Sequence, residues 1–247
     1  MNYKMVMQYD GTRYDGWQKQ GNTGNTIQGR LEAVLSRFAG EPVEVQGAGR
    51  TDAGVHAYGQ TANFRLQTDV KEEEVLVYLN RYLPEDIEVL SVKRVHDRFH
   101  ARLSAVRKTY LYRVGLGSGK HVFDRKYLYH FDGSLDMKAM EEAAGYLRGT
   151  HDFKSFCSNR RMKKSTTRTL HMVKIDVDKK EDVIRFILIG DGFLYHMVRI
   201  IVGTLLEIGQ GKREPKDIIR ILDEKDRDKA GFTAPPQGLT MVSVEYE

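Results

Sequence analysis

Apolar and polar positions along the chain follow two repeats. Residues 3–9 alternate with a period of two, which predicts a strand, whereas residues 26–38 place Ile27, Leu31 and Leu35 on one face of a helix. Asn25 and Gln28 predict a capping box at the start of that helix. The same patterns predict further helices at about 70–82, 135–149, 193–209 and from 215, and strands at 43–45, 61–66, 87–95, 108–114, 170–177, 183–189 and 239–246.

Each half of the chain therefore has the order β-α-β-β-α-β, the split βαβ or ferredoxin-like arrangement. The predicted fold class is α+β, with two ferredoxin-like lobes whose mostly antiparallel sheets are joined across a central cleft. We place the N-terminal lobe at residues 1–103 and the C-terminal lobe at residues 104–247.

The basic residues are unevenly distributed, although the net charge is only +5. Two long stretches, 98–123 and 153–175, contain no acid and are interleaved with aromatic residues, a pattern typical of phosphate-backbone binding with base stacking. The alternative is a solvated basic face. The residues concerned are Arg98, Arg102, Arg107, Lys108, Arg113 and Lys120, then Lys154, Arg160, Arg161, Lys163, Lys164, Arg168 and Lys174, with Tyr110, Tyr112, Phe123, Phe153 and Phe156.

Other classes of protein fit the sequence poorly. No apolar run reaches the roughly 18–20 residues that span a bilayer, and the N-terminus lacks the apolar core of a signal peptide. We therefore expect a cytoplasmic protein without a membrane partner. Cys157 is the single cysteine, which excludes an internal disulfide and a multi-cysteine zinc site, and it fits a core position better than a nucleophile.

The glycine-rich stretch "GAGRTDAGVHAYGQ" at 47–60 is the main candidate for chemistry. Its spacing matches neither a dinucleotide-binding loop nor a Walker loop. An ordinary turn is one interpretation, with Gly47, Gly49 and Gly54 allowing positive φ. A metal pair of Asp52 with His56 is a weak second interpretation, because no third ligand lies nearby. The third is a single carboxylate that acts as nucleophile or general base.

An aspartate used in this way must stay ionised while it is shielded from water, which calls for a nearby cation. Arg50 is one candidate. Arg199 is another, because it lies on the nearly all-apolar helix 193–209, where an arginine is rarely buried without a partner. The alternative is that Arg199 extends to solvent.

Several segments together resemble the TruA-type tRNA pseudouridine synthases, over essentially the whole chain. They are "YDGTRYDGWQKQ" (9–20), "AGRTDAGVHA" (48–57), "FHARLSAVRKTYLYR" (99–113), "RTL" (168–170), "FLYHMVRIIVG" (193–203) and "GLTMVSVEY" (238–246). The resemblance implies an isomerase that converts uridine to pseudouridine at positions 38–40 of the tRNA anticodon stem-loop. It also implies a homodimer that binds tRNA and uses no cofactor or metal.

The resemblance also implies roles for individual residues. Asp52 matches the catalytic aspartate and Arg50 the arginine beside the flipped-out nucleotide. Tyr110 matches the tyrosine that stacks on the uracil, and Arg199 the arginine that pairs with the aspartate. Leu239 matches an apolar residue that lines the uracil pocket.

The polar loop at 157–170 is the predicted RNA-binding segment. Its cations are Arg160, Arg161, Lys163, Lys164 and Arg168. An alternative function with the same basic surface is a non-catalytic RNA-binding protein or tRNA chaperone, and a metal-dependent RNA hydrolase is a third. Pseudouridine formation in an anticodon stem-loop distinguishes them.

Overall fold

The computed structural model describes residues 1–21, 23–117, 119 and 121–247, so Lys120 of the first basic stretch lies outside the described residues. The chain divides into two compact units, one of residues 1–106 with 240–247 and one of residues 107–239. The sequence-based lobes, 1–103 and 104–247, remain a prediction. No helix in the described part of the chain is long and apolar enough to span a membrane.

The first unit contains four strands and two helices before the chain leaves it, and it receives a last strand from the C-terminal segment. They are β1 (Asn2–Tyr9), α1 (Ile27–Ala39), β2 (Val45–Gly47), β3 (His56–Arg65), α2 (Glu72–Tyr82) and β4 (Ile87–Val95). The second unit contains β5 (Ala105–Leu116, which begins in the first unit), β6 (Tyr129–Phe131), α3 (Met137–Tyr146), β7 (Gly149–Asp152), β8 (Thr167–Asp178), β9 (Val183–Gly190), α4 (Met197–Gly209) and α5 (Asp217–Glu224). The last strand is β10 (Leu239–Tyr246).

The sheet of the first unit has the order β4-β1-β3-β10, and β2 also pairs with β3. All of these pairs are antiparallel except β3 with β10, which is parallel. Alternation places Tyr3, Met5 and Met7 of β1 in the core without exposure. Helix α1 buries the predicted face of Ile27, Leu31 and Leu35, because period-two and period-3.6 patterns each bury one face.

The sheet of the second unit has the order β5-β9-β8-β7, with antiparallel pairs throughout, and β6 adds a parallel pair to β5. Helix α4 is buried on almost all sides, as expected of a helix that is apolar all round. Of its residues, only Arg199 and Glu207 are not buried.

The α+β class with mostly antiparallel pairing is confirmed, whereas the central cleft stays a prediction. The strands at 87–95 and 239–246 have the predicted ends. Two short strands, β6 and β7, were not predicted, since three or four residues carry too little alternation to be recognised.

The differences at two helix starts have a clear physical cause. The capping box of Asn25 and Gln28 is wrong, because Thr26 is the N-cap and its side chain accepts from the Gly29 amide. Helix α4 begins at Met197 rather than 193, because His196 has a left-handed φ of 63°, which cannot continue a right-handed helix.

Candidate active site

The loop between β2 and β3 places Asp52 at a tight turn. The amide of Val55 donates to the carbonyl of Asp52 at 3.1 Å, and Gly54 has a φ of 76°, the left-handed region that glycine adopts without strain. The side chain of Asp52 is half-buried. The turn therefore fixes the backbone at Asp52 and leaves the carboxylate partly shielded from solvent.

The segment after β1 fixes the same turn from the other side. The amide of Trp17 donates to the Thr51 carbonyl at 2.9 Å, and the Gly54 amide donates to the Tyr14 carbonyl at 3.4 Å. The two segments approach so closely that a Cβ on Gly16 would lie 2.7 Å from the Thr51 carbonyl oxygen. Backbone hydrogen bonds on both sides of Asp52 thus set its position.

The loop packs against the side chain of Trp17. It is 2% exposed, and a Cβ on Gly47 would lie only 2.5 Å from its ring. Its ring centroid is 6.3 Å from that of Tyr9. Gly47 is therefore required for close packing against an aromatic ring, whereas Gly54 has the positive φ predicted for it.

A buried polar network lies beneath the turn. The Tyr9 hydroxyl is 2.8 Å from Thr51 Oγ1, and Gln60 Nε2 donates to the Gly49 carbonyl at 2.9 Å and to the Tyr9 hydroxyl at 3.5 Å. Burial raises the pKa of Tyr9 to about 12, which its bonds to Thr51 and Gln60 only partly offset. Tyr9 is therefore neutral at physiological pH and joins the loop to β1 as a hydrogen-bonding group.

The other polar residues of the stretch have different surroundings. Arg50 is exposed and forms no ion pair among the described residues. His56 is buried, and its Nδ1 accepts from the Gly11 amide at 3.1 Å. In the part of the chain that the structure describes, no three His, Cys, Asp or Glu side chains are grouped to hold a metal ion. The metal hypothesis for Asp52 and His56 thus gains no third ligand.

The second unit contains the other three predicted site residues. Tyr110 of β5 is 7% exposed, and its ring packs edge-on against Phe193 with centroids 4.8 Å apart. Leu239 is 6% exposed. Arg199 is half-buried, and its Nε donates to the Ala234 carbonyl at 2.7 Å. Asp52 and Arg50 belong to the first unit, so the five residues are divided between the two units.

Residues 230–238, which we call the strap, cover α4 beside Arg199. The Gly231 amide donates to Thr204 Oγ1 at 2.9 Å, and the Ala234 amide donates to the Arg199 carbonyl at 3.1 Å. The strap lies so close that a Cβ on Gly203 would be 2.0 Å from the Phe232 oxygen. The strap therefore holds the backbone and the guanidinium of Arg199 together.

Tyr112 fastens the far end of the strap. Its hydroxyl donates to the Pro235 carbonyl at 2.6 Å. Burial raises the pKa of Tyr112, an effect that the charge of Arg199 partly offsets. Tyr112 is fully buried, as are Phe153 and Phe156, so the prediction that these three stack on bases is wrong. Among the interleaved aromatics, Phe123 is 94% exposed and Tyr110 is nearly buried.

The five predicted RNA-binding cations are not equivalent. Arg161, Lys163 and Lys164 are exposed. Arg168 is half-buried, and its Nη1 donates to the Ser165 carbonyl at 3.1 Å and to the Thr167 carbonyl at 2.5 Å. Arg160 forms an ion pair with Asp228.

Sequence reasoning missed the supporting residues Tyr9, Thr51, Gln60 and Asp228. Only Tyr9 carried a usable signal, since it follows the apolar Tyr3, Met5 and Met7 on the buried face of β1 and has a polar end. The others are polar residues that each bind a partner far away in the chain, which periodicity does not reveal.

Comparison with known proteins gives a consistent result. The family model of tRNA pseudouridine synthases matches residues 5–103 and 143–247. The chain is 47% identical to "tRNA pseudouridine synthase A" of Bacillus sp. (strain KSM-64), 44% identical to "tRNA pseudouridine synthase A 2" of Bacillus cereus, and 44% identical to "tRNA pseudouridine synthase A 1" of Clostridium tetani. Each alignment covers 99% of both chains.

Among solved structures, a Cbf5-Nop10-Gar1 complex matches with a TM-score of 0.42 and 10% identity, over 97% of this chain and 48% of the other. The chain thus spans about half the length of that solved chain, and likeness at this level says nothing about function.

Proposed function

The chain belongs to the tRNA pseudouridine synthase family, and we propose that it acts at positions 38–40 of the tRNA anticodon stem-loop with Asp52 as its catalytic group. It is an enzyme that isomerises uridine to pseudouridine in tRNA. Family membership favours this activity over a non-catalytic RNA-binding protein or tRNA chaperone.

The position of Asp52 is the observation that supports its role. It is half-buried and lies between two backbone hydrogen bonds, at the Thr51 carbonyl and the Gly54 amide. A loop held in this way loses little freedom when substrate binds, which favours efficient positioning of a reacting group. An ordinary surface turn does not need a distant segment of the chain to fix it.

The chemistry requires one well-placed carboxylate. The bond between N1 of uracil and C1′ of ribose breaks, the base rotates, a bond forms between C5 and C1′, and the C5 proton leaves while N1 gains one. Asp52 can add to the ribose, add to the base, or remove a ribose proton, and these routes stay open. The target atoms are stacked in RNA, so the uridine must first be flipped out.

The test of Asp52 is its replacement by asparagine, which keeps the shape and removes the charge. We expect Asp52→Asn to release no tritium from an anticodon stem-loop labelled at uridine C5, because C5 loses its hydrogen only when product forms. Binding of the same RNA, measured by filter retention, should be unchanged. Release at the wild-type rate would show that Asp52 is not the catalyst.

Four further residues have proposed roles that follow from the family pattern. Arg50 is exposed, which suits contact with RNA around a flipped nucleotide. Tyr110 is proposed to stack on the uracil and to assist the removal of the C5 proton, and Leu239 to supply an apolar surface of the pocket. Arg199 is proposed as the cation that pairs with Asp52.

The proposed pair of Asp52 and Arg199 can be tested by a double-mutant cycle in free energies of unfolding. If the two side chains interact, Arg199→Ala should destabilise the wild type more than it destabilises Asp52→Asn, by about 1 kcal/mol or more. Arg199→Ala should also lower kcat. Equal destabilisation in both backgrounds would rule the pair out.

The assembly and the location of the enzyme are also proposed. We expect a homodimer in the cytoplasm, where tRNA is modified. Light scattering on the purified protein should give twice the 28.4 kDa of one chain. A single-chain mass at the concentration of the activity assay would contradict the dimer.

A further inference from the structure

We propose that Arg160 and Asp228 form an anchor that sets the conformation of the RNA-binding loop, so that Arg160 acts as a positioning residue and not as a phosphate contact. The loop consists of residues 157–166, between Phe156 and β8. The inference rests on the proposed function, since it concerns the same RNA-binding surface. It assigns phosphate binding to Arg161, Lys163 and Lys164.

The geometry of the pair is bidentate. Arg160 Nη1 donates to Asp228 Oδ2 at 3.0 Å, and Nη2 donates to the second oxygen, Oδ1. Two parallel bonds of this kind fix the angle of a guanidinium as well as its distance. The Nη1–Nη2 edge of Arg160 is therefore occupied by a carboxylate and not available to a phosphate.

Asp228 is itself held in place. It lies in a single 3-10 turn, Arg227–Lys229, and its amide donates to the Asp226 side chain at 3.0 Å. Its neighbour Arg227 donates to Thr233 Oγ1 at 3.0 Å and to the Ala230 carbonyl at 3.4 Å. These bonds join the turn to the strap, so Asp228 is a fixed point to which the loop can attach.

The two ends of the loop are fastened independently. At one end, the Ser158 amide donates to the Tyr195 carbonyl at 3.1 Å, and Ser158 Oγ lies 2.8 Å from His196 Nδ1. At the other end, Thr166 Oγ1 donates to Asp152 at 2.5 Å. Arg160 anchors the stretch between these ends, so the loop is held at three places, one of which is the start of α4.

The charges around the loop distinguish an anchoring residue from a phosphate contact. Asp228 is an exposed acid beside a basic surface, where on its own it would repel phosphate. Arg161, Lys163 and Lys164 are exposed and, within the described ranges, form no ion pair. The loop thus presents three cations to RNA, whereas Arg160 forms an ion pair with Asp228.

The first experiment replaces acidic residues. If Asp228 is an anchor, its removal weakens tRNA binding, whereas if it only repels phosphate, its removal strengthens binding. Asp228→Ala should weaken tRNA binding about two- to fivefold, since the loop loses its anchor. Asp223→Ala removes another exposed acid of the same unit, on α5, and is the matched control, which should leave binding unchanged or slightly tighter. Binding that is unchanged or tightened in Asp228→Ala would overturn the proposal.

Arginine variants provide the second readout. Arg160→Gln should weaken binding as much as Asp228→Ala, with the same slope of log affinity against log salt as wild type, and the double variant should be no worse than either. Arg161→Gln should lower that slope by about 0.7–0.9, the value for one lost phosphate contact. A lowered slope in Arg160→Gln would identify it as a contact.

A charge exchange completes the test. Arg160→Asp combined with Asp228→Arg should restore most of the affinity that each single change loses, whereas a phosphate contact would not be rescued. If wild type itself neither binds nor modifies tRNA, the proposed function fails. If wild type is active and the exchange does not rescue binding, only the anchor fails.

Discussion

At the scale of single residues, the proposed catalytic carboxylate depends on neighbouring groups that hold its loop in place. Thr51 and Gly54 carry the backbone bonds on either side of Asp52, and Tyr9 and Gln60 support the loop from the sheet. Buried networks of this kind are stable only when nearly every member is paired. Substitutions beneath the loop should therefore change activity through the position of Asp52.

The stability of Tyr9→Phe should depend on pH differently from that of wild type. The folded state raises the pKa of Tyr9 from 10.0 to about 12, so it binds the phenolic proton more tightly than the unfolded chain does. The resulting stability, about 2–3 kcal/mol, is fully present below pH 10 and is lost as the pH rises from about 10 to 12. Urea unfolding at pH 9 and pH 11.5 should show a smaller loss for Tyr9→Phe.

Tyr58→Phe is the control for this experiment, because it removes a hydroxyl from a side chain that is 53% exposed. It should lose as much stability between the two pH values as wild type. If Tyr9→Phe also matched wild type, the Tyr9 hydroxyl would not be the group that titrates. Fluorescence of Trp17, the only tryptophan, can follow the unfolding next to the Asp52 loop.

At the scale of elements, helix α4 and the strap form the support for Arg199. The helix is apolar on all sides, and the strap supplies hydrogen-bond partners for its few polar groups. The contact at Gly203 is backbone against backbone, so no side-chain rotation can make room for a larger residue there. The position of Arg199 should therefore be sensitive to this glycine.

Gly203→Ala should destabilise the protein by about 1–3 kcal/mol or more, because its Cβ would lie 2.0 Å from the Phe232 oxygen. The matched control is Gly145→Ala in α3, where no atom lies within 4 Å of the added Cβ. That change should stabilise the protein by about 0.5–1 kcal/mol, since alanine has a higher helix propensity than glycine. Thermal unfolding measures both, and equal effects would contradict the close approach.

The sequence predicted these elements better than their connections. Long runs such as β4 and β9 were found from their periodicity, and α4 was found from its long apolar run. The strap was not foreseen, because it has neither repeat and is held by bonds to Thr204, Arg199 and Tyr112. Contacts between residues far apart in the chain leave no local pattern in the sequence. The residues that support the site are therefore recognised only in the three-dimensional structure.

At the scale of the whole molecule, charge is segregated between the units. Residues 107–239 carry 26 Lys and Arg and 18 Asp and Glu, a net charge of +8. The first unit carries 13 and 16, a net charge of −3. The small net charge of the chain hides this difference, and the second unit is the one suited to attract a polyanion.

Replacing Arg161, Lys163 and Lys164 by glutamine should weaken tRNA binding and lower the slope of log affinity against log salt by about 2.1–2.7, at roughly 0.7–0.9 per contact. The control is Lys179→Gln with Lys180→Gln, two exposed lysines at the turn between β8 and β9. These should leave the slope nearly unchanged. Equal slopes in the two variants would show that the basic loop does not contact RNA.

Strand β10 has a consequence for synthesis of the protein. It pairs with β3 in the first unit, although the whole of the second unit is translated before it. A nascent chain that has only just left the ribosome through β4 therefore has an unpaired edge at the start of β3, and such edges are prone to wrong pairing. The first unit cannot complete its sheet until residues 240–247 emerge, so the completion of its folding waits until the second unit has been translated.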